Sequence, residues 1–208
     1  LQPAQGEPAM FKGRLCVLTA QRIGKPFVVD GRLDDWPLAT NVASDFLLVG
    51  AGEVPKIGRA TPDRPSQLTT VFACNDDEAL YIAFNCAESR MGDRQIGRSN
   101  YVRYDDLWPV GEDLVEIVLD PTGQAVGPGD LYHIIVKANG ALVAEKGIQC
   151  LDRVAPVSPW ASGITAAVDD QFRPGCWTVE MRIPLASLEK RGDVIGVNFA
   201  RFDARGGE

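Results

Sequence analysis

Short segments in which apolar and other side chains alternate recur along the whole sequence. Residues 80–86 read LYIAFNC and residues 177–183 read WTVEMRI, with an apolar side chain at every second position. Residues 114–120, LVEIVLD, follow the same pattern. A period of two is typical of strands that bury one face. Helical turns suit only two short stretches, residues 34–38 and 185–190, so the chain is predicted to be almost entirely β.

Turn-forming residues separate these segments. Residues 75–78 (NDDE) and 121–123 (PTG) end two of the strands, and Asn139-Gly140 is the best hairpin signal because both positions tolerate positive φ. Further strands are predicted at residues 14–19, 69–74, 132–138, 141–145, 164–168 and 195–202. About nine or ten strands with minimal helix predict an all-β, two-sheet antiparallel sandwich of jelly-roll or immunoglobulin-like type.

Length and loop composition indicate a single sandwich domain. A chain of 208 residues suits one all-β domain. We expect residues 1–22 to form an N-terminal arm or linker that adds one strand, and residues 23–208 to form the sandwich. Residues 50–67 and 87–112 show no period, and both are predicted to be exposed loops.

The charge of the chain excludes several classes of partner. The net charge is −7 and the pI is about 4.8. Binding to a nucleic-acid backbone or to anionic lipid needs a cationic surface, so neither partner is expected. No apolar run reaches the length of about 18 residues that a membrane-spanning helix needs. A neutral partner such as a saccharide is compatible with this charge.

The cysteines and the first residue bear on where the protein works. The sequence starts with Leu1 rather than Met, which indicates a processed start, and we expect an exported protein: periplasmic, cell-surface or extracellular. Its five cysteines form no CxxC motif or Cys/His cluster, so zinc-finger and thioredoxin-type chemistry is not indicated. An odd number leaves at least one thiol outside intrachain bridges, and one or two bridges, or none, stay open.

Catalytic motifs are missing from the sequence. His133 is the single histidine, and its position within a strand favours a structural role. The sequence contains no P-loop and no GxGxxG motif, and adjacent turn aspartates do not make the paired acids of a glycosidase. We therefore predict a binding module rather than an enzyme, with no catalytic residue.

Six segments in a fixed order resemble a known family. They are VDGRLDDWPLA, VFACNDDEALYIAFNC, DLVEIVLDP, YHIIVKANGAL, GCWTVEMRIPLASL and IGVNFARFD, which together span roughly residues 23–203. Their succession resembles family 9 carbohydrate-binding modules and the wider DOMON-like domains. The resemblance implies a β-sandwich, often stabilised by calcium, that binds polysaccharide or oligosaccharide ends beside a catalytic domain.

Two site residues carry over from this resemblance. Trp108 precedes the VEI strand, as one sugar-clamping tryptophan does in the family, and Glu116 matches the acid that accepts hydrogen bonds from sugar hydroxyls. The family's other clamp tryptophan follows the strand that matches residues 195–202, and no such residue precedes Glu208. Either that end of the domain lies outside this sequence or this half of the site has been lost. The arginine of sugar-binding members also has no match.

Three further residues are weaker ligand candidates: the loop residue Trp160 and the last-strand residues Asn198 and Arg201, which are predicted to face opposite sides. A packed ring is the alternative for Trp108. For Glu116 the alternatives are a solvated strand residue or an ion pair with Arg182 or Lys137. Two other tryptophans, at positions 36 and 177, are predicted to be structural.

The implied calcium site has four candidate ligands: Asp76, Asp77, Asp105 and Asp106. Calcium takes six to eight oxygen ligands, often from such loops, but no EF-hand spacing occurs. The alternative is that these aspartates form turns and solvated charges.

Two other functions stay open beside carbohydrate binding. The sandwich can serve as an accessory or structural subunit of an exported assembly that has lost its sugar site, with partner chains covering its edges. A smaller set of DOMON-like domains binds b-type haem through a methionine, for which Met181 is the candidate here.

Overall fold

The computed structural model describes residues 17–37, 42–46, 65–94, 96, 112–147, 158–189, 192 and 194–204. These residues form eleven strands: β1 (Gln21–Arg22), β2 (Val42–Ala43), β3 (Thr69–Asn75), β4 (Ala79–Ala87), β5 (Leu114–Asp120), β6 (Tyr132–Lys137), β7 (Leu142–Lys146), β8 (Ser158–Pro159), β9 (Thr165–Asp169), β10 (Cys176–Pro184) and β11 (Gly196–Phe202). Single 3-10 turns occur at Met91–Asp93, Pro128–Asp130 and Leu185–Ser187.

The strands form two sheets, which confirms the predicted sandwich. The first sheet has the order β1-β3-β4-β10-β9, with β2 also paired to β3. The second sheet has the order β11-β5-β6-β7-β8. Every pairing is antiparallel except that of β1 with β3. Residues 17–20 are not extended into a strand, so the strand predicted at 14–19 is replaced, over its described part, by β1 within the N-terminal arm.

The main core lies between the sheets and is built by the alternation seen in the sequence. Phe84 of β4, Ile117 of β5, Ile134 of β6 and Trp177 of β10 are all fully buried there. Burying a large apolar side chain stabilises the fold by about 1.5–3 kcal/mol, so these side chains fix the register of both sheets. The predicted burial of Trp177 is confirmed.

The turn between β6 and β7 falls at the predicted Asn139-Gly140. Gly140 has φ +85°, whereas no residue other than glycine has positive φ among the described residues. Asn139 therefore does not take the second left-handed position. Its side-chain oxygen instead accepts a hydrogen bond from the Ala141 amide at 2.9 Å, which closes the turn locally.

The outer face of the first sheet is covered by residues 23–37, the docking segment. Leu33 and Trp36 are buried against Tyr81 and Ala83 of β4, and Phe27 stacks on Trp36 with ring centroids 4.8 Å apart. Trp36 is thus the packing anchor that the sequence predicts. The outer face of the second sheet carries a smaller buried cluster of Leu114, Ile135 and Val143, against which Phe202 packs.

Three cysteines lie in the described residues, and all three are buried, free thiols: Cys74, Cys86 and Cys176. Burial raises the pKa of the Cys86 thiol to about 12 and that of Cys74 to about 11, so neither forms a reactive thiolate at neutral pH. Cys16 and Cys150 lie outside the described residues. Where the structure describes the chain, it contains no helix long and apolar enough to cross a membrane.

Candidate functional site

The outer face of the second sheet gathers polar side chains on its two central strands. The register of β5 and β6 pairs Glu116 with Ile135 and Val118 with His133, so these four side chains share the outer face. The predictions that Glu116 points away from its apolar neighbours, and that His133, Ile135 and Lys137 share one face, are confirmed. This face therefore carries a partly exposed carboxylate together with a buried imidazole and a buried ammonium group.

Glu116 and His133 form the centre of this group. The Nε2 atom of His133 contacts Oε1 of Glu116. The His133 side chain is 1% exposed, whereas that of Glu116 is 33% exposed. The imidazole thus holds one carboxylate oxygen from within the protein, and part of the Glu116 side chain stays accessible to a ligand. The predicted ion pair of Glu116 with Arg182 is wrong. Arg182 lies on β10 of the first sheet and pairs with Glu78, just before β4.

Three further charged residues extend this group along β6 and β7. Lys137 is buried and forms an ion pair with Glu112, which lies just before β5. Glu145 of β7 lies opposite His133 in register and is also buried. We call Glu112, Glu116, His133, Lys137 and Glu145 the polar strip. Charges in such positions are costly to bury without partners, so a sheet that needed only packing would carry apolar residues here.

Asn198 joins the same face from the neighbouring strand. It lies opposite Val118 in the pairing of β11 with β5, and it is exposed. Its amide can both donate and accept, which complements the carboxylate of Glu116. The structure thus brings Glu116 and Asn198, two of the predicted ligand residues, to one surface.

Arg201 points to the opposite side of β11, as the sequence predicts. Its side chain is 5% exposed, its Nη1 donates to the Ala87 carbonyl at 2.8 Å, and its Nη2 lies 3.5 Å from the buried Glu88 carboxylate. The guanidinium also lies over the Trp177 ring, 5.8 Å from the centroid. Arg201 therefore closes one end of the core and is not brought together with Glu116.

Trp160 is likewise placed against the core. Its indole N–H donates to the Ser187 carbonyl at 3.0 Å, and its ring packs edge-on against Tyr132 at 4.7 Å. Tyr132 faces the interior, whereas Glu116 faces outwards, so Trp160 and Glu116 lie on opposite sides of the second sheet. Its half-buried ring supports the end of the sandwich.

The calcium candidates fall into two pairs. Asp105 and Asp106 lie outside the described residues, as does Trp108. Asp76 accepts hydrogen bonds from the amides of Glu78 and Ala79 and from the Tyr81 hydroxyl. Asp77 forms a two-pronged ion pair with Arg22 at 2.7 and 2.8 Å.

These contacts test the described half of the calcium prediction. Oδ1 of Asp76 already accepts two turn amides, Oδ2 accepts the Tyr81 hydroxyl, and Asp77 already has a cationic partner. No group of three or more His, Cys, Asp or Glu side chains suited to a metal occurs where the chain is described. Asp76 and Asp77 therefore do not fit a calcium site by themselves.

The haem candidate Met181 lies in the core between the sheets and is 1% exposed. Its thioether packs among aliphatic and aromatic side chains, as a core methionine does.

Sequence reasoning missed most of the polar strip. His133 was predicted to be structural, and Lys137 entered only as a possible partner of Glu116. The available signal was that β6 places two polar residues, His133 and Lys137, on one face of a strand otherwise rich in Ile and Val. Glu112 and Glu145 gave no such signal, because their proximity depends on strand pairing across the sheet.

Comparison with known proteins adds the fold family. No family model matches the sequence, and no curated protein sequence matches it significantly. Among solved structures, a family 9 carbohydrate-binding module from Caldicellulosiruptor kristjanssonii in complex with cellotriose is 19% identical, with a TM-score of 0.52 over 86% of this chain and 73% of that chain. Another structure of such a module from that organism, in complex with glucose, is 20% identical, with a TM-score of 0.50 over 86% and 76%.

A third structure, of a protein from Bacteroides uniformis, is 12% identical, with a TM-score of 0.54 over 90% of this chain and 84% of that chain. At these identities the likeness concerns the fold. The chain has the β-sandwich fold of family 9 carbohydrate-binding modules, as the order of its sequence segments predicted.

Proposed function

We propose that this protein is a non-catalytic carbohydrate-binding module that binds oligosaccharides on the outer face of its second sheet. The fold, shared with modules solved with cellotriose and glucose, supports the class of ligand. The polar strip supports the location of the binding site on that face. The proposal includes export from the cell and a role beside polysaccharide-active partners.

The observation that carries the proposal is the pairing of Glu116 with His133. A buried imidazole fixes the carboxylate, which is partly exposed on a rigid strand. A fixed carboxylate accepts hydrogen bonds from neighbouring hydroxyl groups without the entropy cost of ordering a mobile side chain. Asn198 supplies an adjacent donor and acceptor on the same face.

We include Trp108 in the proposed site because of its sequence position. It precedes Glu112, a member of the polar strip, by four residues. A link of four residues spans at most about 14 Å, which is within reach of the strip. An aromatic ring that stacks on a sugar contributes about 1 kcal/mol beyond its buried area.

Titration calorimetry with glucose and cellotriose tests the proposal. We expect Glu116→Gln to weaken cellotriose binding about tenfold, which corresponds to about 1.4 kcal/mol. The matched control is Glu78→Gln. It removes a carboxylate whose side chain is 80% exposed and that lies just before β4 of the first sheet. If Glu116→Gln binds cellotriose as the unchanged protein does, or if no saccharide binds the unchanged protein, the proposed site is wrong.

One observation favours a second function, that of an accessory subunit in a protein assembly. β11 is seven residues long and lies at the end of the second sheet, so its outer edge has no strand partner among the described residues. Its sequence GVNFARF contains neither the lysine nor the proline that commonly protects such an edge. Co-purification of a second polypeptide at fixed stoichiometry, without saccharide binding, would favour this function over the first.

A further inference from the structure

A cleft separate from the polar strip opens where β4 ends and β10 begins. Its volume is about 520 Å³, within the range of small-ligand sites. It lies between the 3-10 turn after β4 and the turn that joins β9 to β10. Its lining residues are Met91, Gly92, Arg94, Asp170, Gln171, Arg173, Pro174 and Gly175.

Arg94 is held rigidly in the wall of this cleft. Its side chain is only 5% exposed, its Nε donates to the Met91 carbonyl at 3.2 Å, and its Nη2 donates to Asp170 at 2.5 Å. The remaining nitrogen, Nη1, is buried and has no hydrogen-bond partner among the described residues. Buried guanidinium N–H groups nearly always have an acceptor, so this arginine has donor capacity left for an incoming group.

The one acidic side chain in the lining is neutralised locally. Asp170 accepts hydrogen bonds from the Gln171 amide group at 2.8 Å and from Arg94. The Gln171 hydrogen bond, followed by that of Arg94, holds the pKa of Asp170 below its ordinary value. Asp170 therefore stays ionised and positions Arg94, leaving the cleft a net positive charge once Arg173 is counted.

Arg173 supplies the second cation. It is exposed, and its guanidinium lies over the Phe172 ring at 4.9 Å from the centroid, which orients it beside the cleft. Two arginines against one aspartate give the lining a positive balance in a protein of net charge −7. A local reversal of sign favours an anionic ligand over the neutral saccharides of the polar strip.

We propose that this cleft binds the carboxylate of an acidic saccharide, a uronate residue, through Arg94 and Arg173. The exposed guanidinium of Arg173 can bind a carboxylate through paired, charge-assisted hydrogen bonds, and Arg94 adds its one remaining donor, Nη1. The identification of the ligand as a saccharide rests on the proposed function, whereas the carboxylate is inferred from the two arginines. Met91 and Pro174 add apolar walls that suit the CH groups of a sugar ring.

A second, smaller hollow lies beside the cleft. Asp170 also lines a neighbouring hollow of about 270 Å³ together with Ala138, Asn139 and Gly140. Ala138 directly follows Lys137 of the strip.

Calorimetric titration with glucuronate, glucose and acetate tests this proposal. Glucuronate is expected to bind, and Arg173→Gln to weaken it about tenfold, since one charge-assisted contact is lost. The matched control is Arg32→Gln, because Arg32 is also exposed and lies 5.7 Å from the same Phe172 ring but does not line the cleft. Arg94→Gln is expected to abolish binding, with its melting temperature recorded alongside.

Each outcome decides the proposal. Glucuronate binding that is weakened about tenfold in Arg173→Gln, kept in Arg32→Gln and kept in Glu116→Gln supports the cleft as a second site. Binding unaffected by Arg173→Gln overturns it, as does acetate binding as tightly as glucuronate, since the cleft would then not recognise the sugar. Failure of cellotriose binding in the same protein counts against the polar strip alone, so the two proposals fail separately.

Discussion

The two outer faces of the sandwich each carry a glutamate on a central strand, and the two glutamates are used differently. Glu180 on β10 accepts hydrogen bonds from the amides of Asp30 and Gly31 and from the Trp36 indole, all from the docking segment. Glu116 on β5 contacts His133 and stays partly exposed. The first carboxylate is saturated and serves packing, whereas the second keeps capacity for a ligand. Accessibility and remaining hydrogen-bond capacity, not burial of charge alone, distinguish the two roles.

The largest expected effect is on the covered face. Trp36→Ala removes a buried ring from the docking segment and one donor from Glu180, and we expect a loss of about 3–5 kcal/mol in the free energy of unfolding. Urea denaturation followed by fluorescence measures it. Val126→Ala is the control, since Val126 is 97% exposed and should change stability by less than about 0.5 kcal/mol. Equal effects of the two changes would contradict the docking role.

Gly31→Ala tests the packing of the docking segment on the first sheet through the backbone instead of a side chain. Gly31 has φ +88°, and an added Cβ would lie 2.7 Å from the Asp169 amide nitrogen. We expect a loss of about 2–3 kcal/mol. Gly140→Ala is the matched control, because φ is +85° there but no atom lies within 4 Å of the added Cβ. Its expected cost is about 1 kcal/mol, and identical melting temperatures for the two variants would show that the contact with β9 is unimportant.

The pH dependence of stability should report on Glu180. Burial raises its pKa to about 7 from the ordinary 4.5, although its hydrogen bonds act in the opposite direction. Between these values the folded protein holds a proton that the unfolded chain has released. Stability attributable to Glu180 therefore falls as pH rises through this window, by on the order of 2 kcal/mol.

Denaturation curves at pH 5, 6, 7 and 8 for the unchanged protein and Glu180→Gln measure this contribution as a difference. The variant should lose less stability across the window. Glu78→Gln, at an exposed position, should keep the original slope. Parallel pH profiles for the unchanged protein and Glu180→Gln would contradict the raised pKa.

The smallest expected effect on stability is for Glu116, on the outer face of the second sheet. Glu116→Gln keeps the shape of the side chain and a hydrogen-bond acceptor, so we expect a change below about 0.5 kcal/mol together with weaker cellotriose binding. A thermal melt measures the change in stability, and the calorimetric titration measures the change in cellotriose affinity, so the two effects are separated. A large loss of stability would place Glu116 in the same structural class as Glu180.

The sequence predicted the architecture because its long strands carry a local signal. Residues 80–86 and 177–183 alternate clearly, and they pair as β4 and β10 in the structure. The two-residue strands β1, β2 and β8 were not predicted individually, since two residues show no period. The turn at Asn139-Gly140 was located correctly, but its backbone geometry follows from the Asn139 side chain rather than from two left-handed residues.

The sequence identified only part of the candidate site, because the other contacts join segments that are distant in the chain. Glu116 and Asn198 were identified from resemblance and position, and strand register brings them to one face. Arg201 and Trp160 are polar or aromatic residues near strand ends, and no local pattern indicates that their polar groups bind backbone carbonyls of distant segments. Glu180 sits on the non-core side of an alternating strand, where the sequence alone indicates solvent, and only the docking segment explains its burial.

The order in which the docking contacts become possible has a consequence for biosynthesis. The amide of Asp30 and the carboxylate that receives it are 150 residues apart in the chain. During translation the apolar side chains of β3 and β4 on which Phe27 and Trp36 pack are made soon after these rings, whereas Glu180 of β10 is made much later. Nascent chains arrested between residues 87 and 176 should therefore be able to cover the rings in part, while the amides of Asp30 and Gly31 and the Trp36 indole still lack their acceptor.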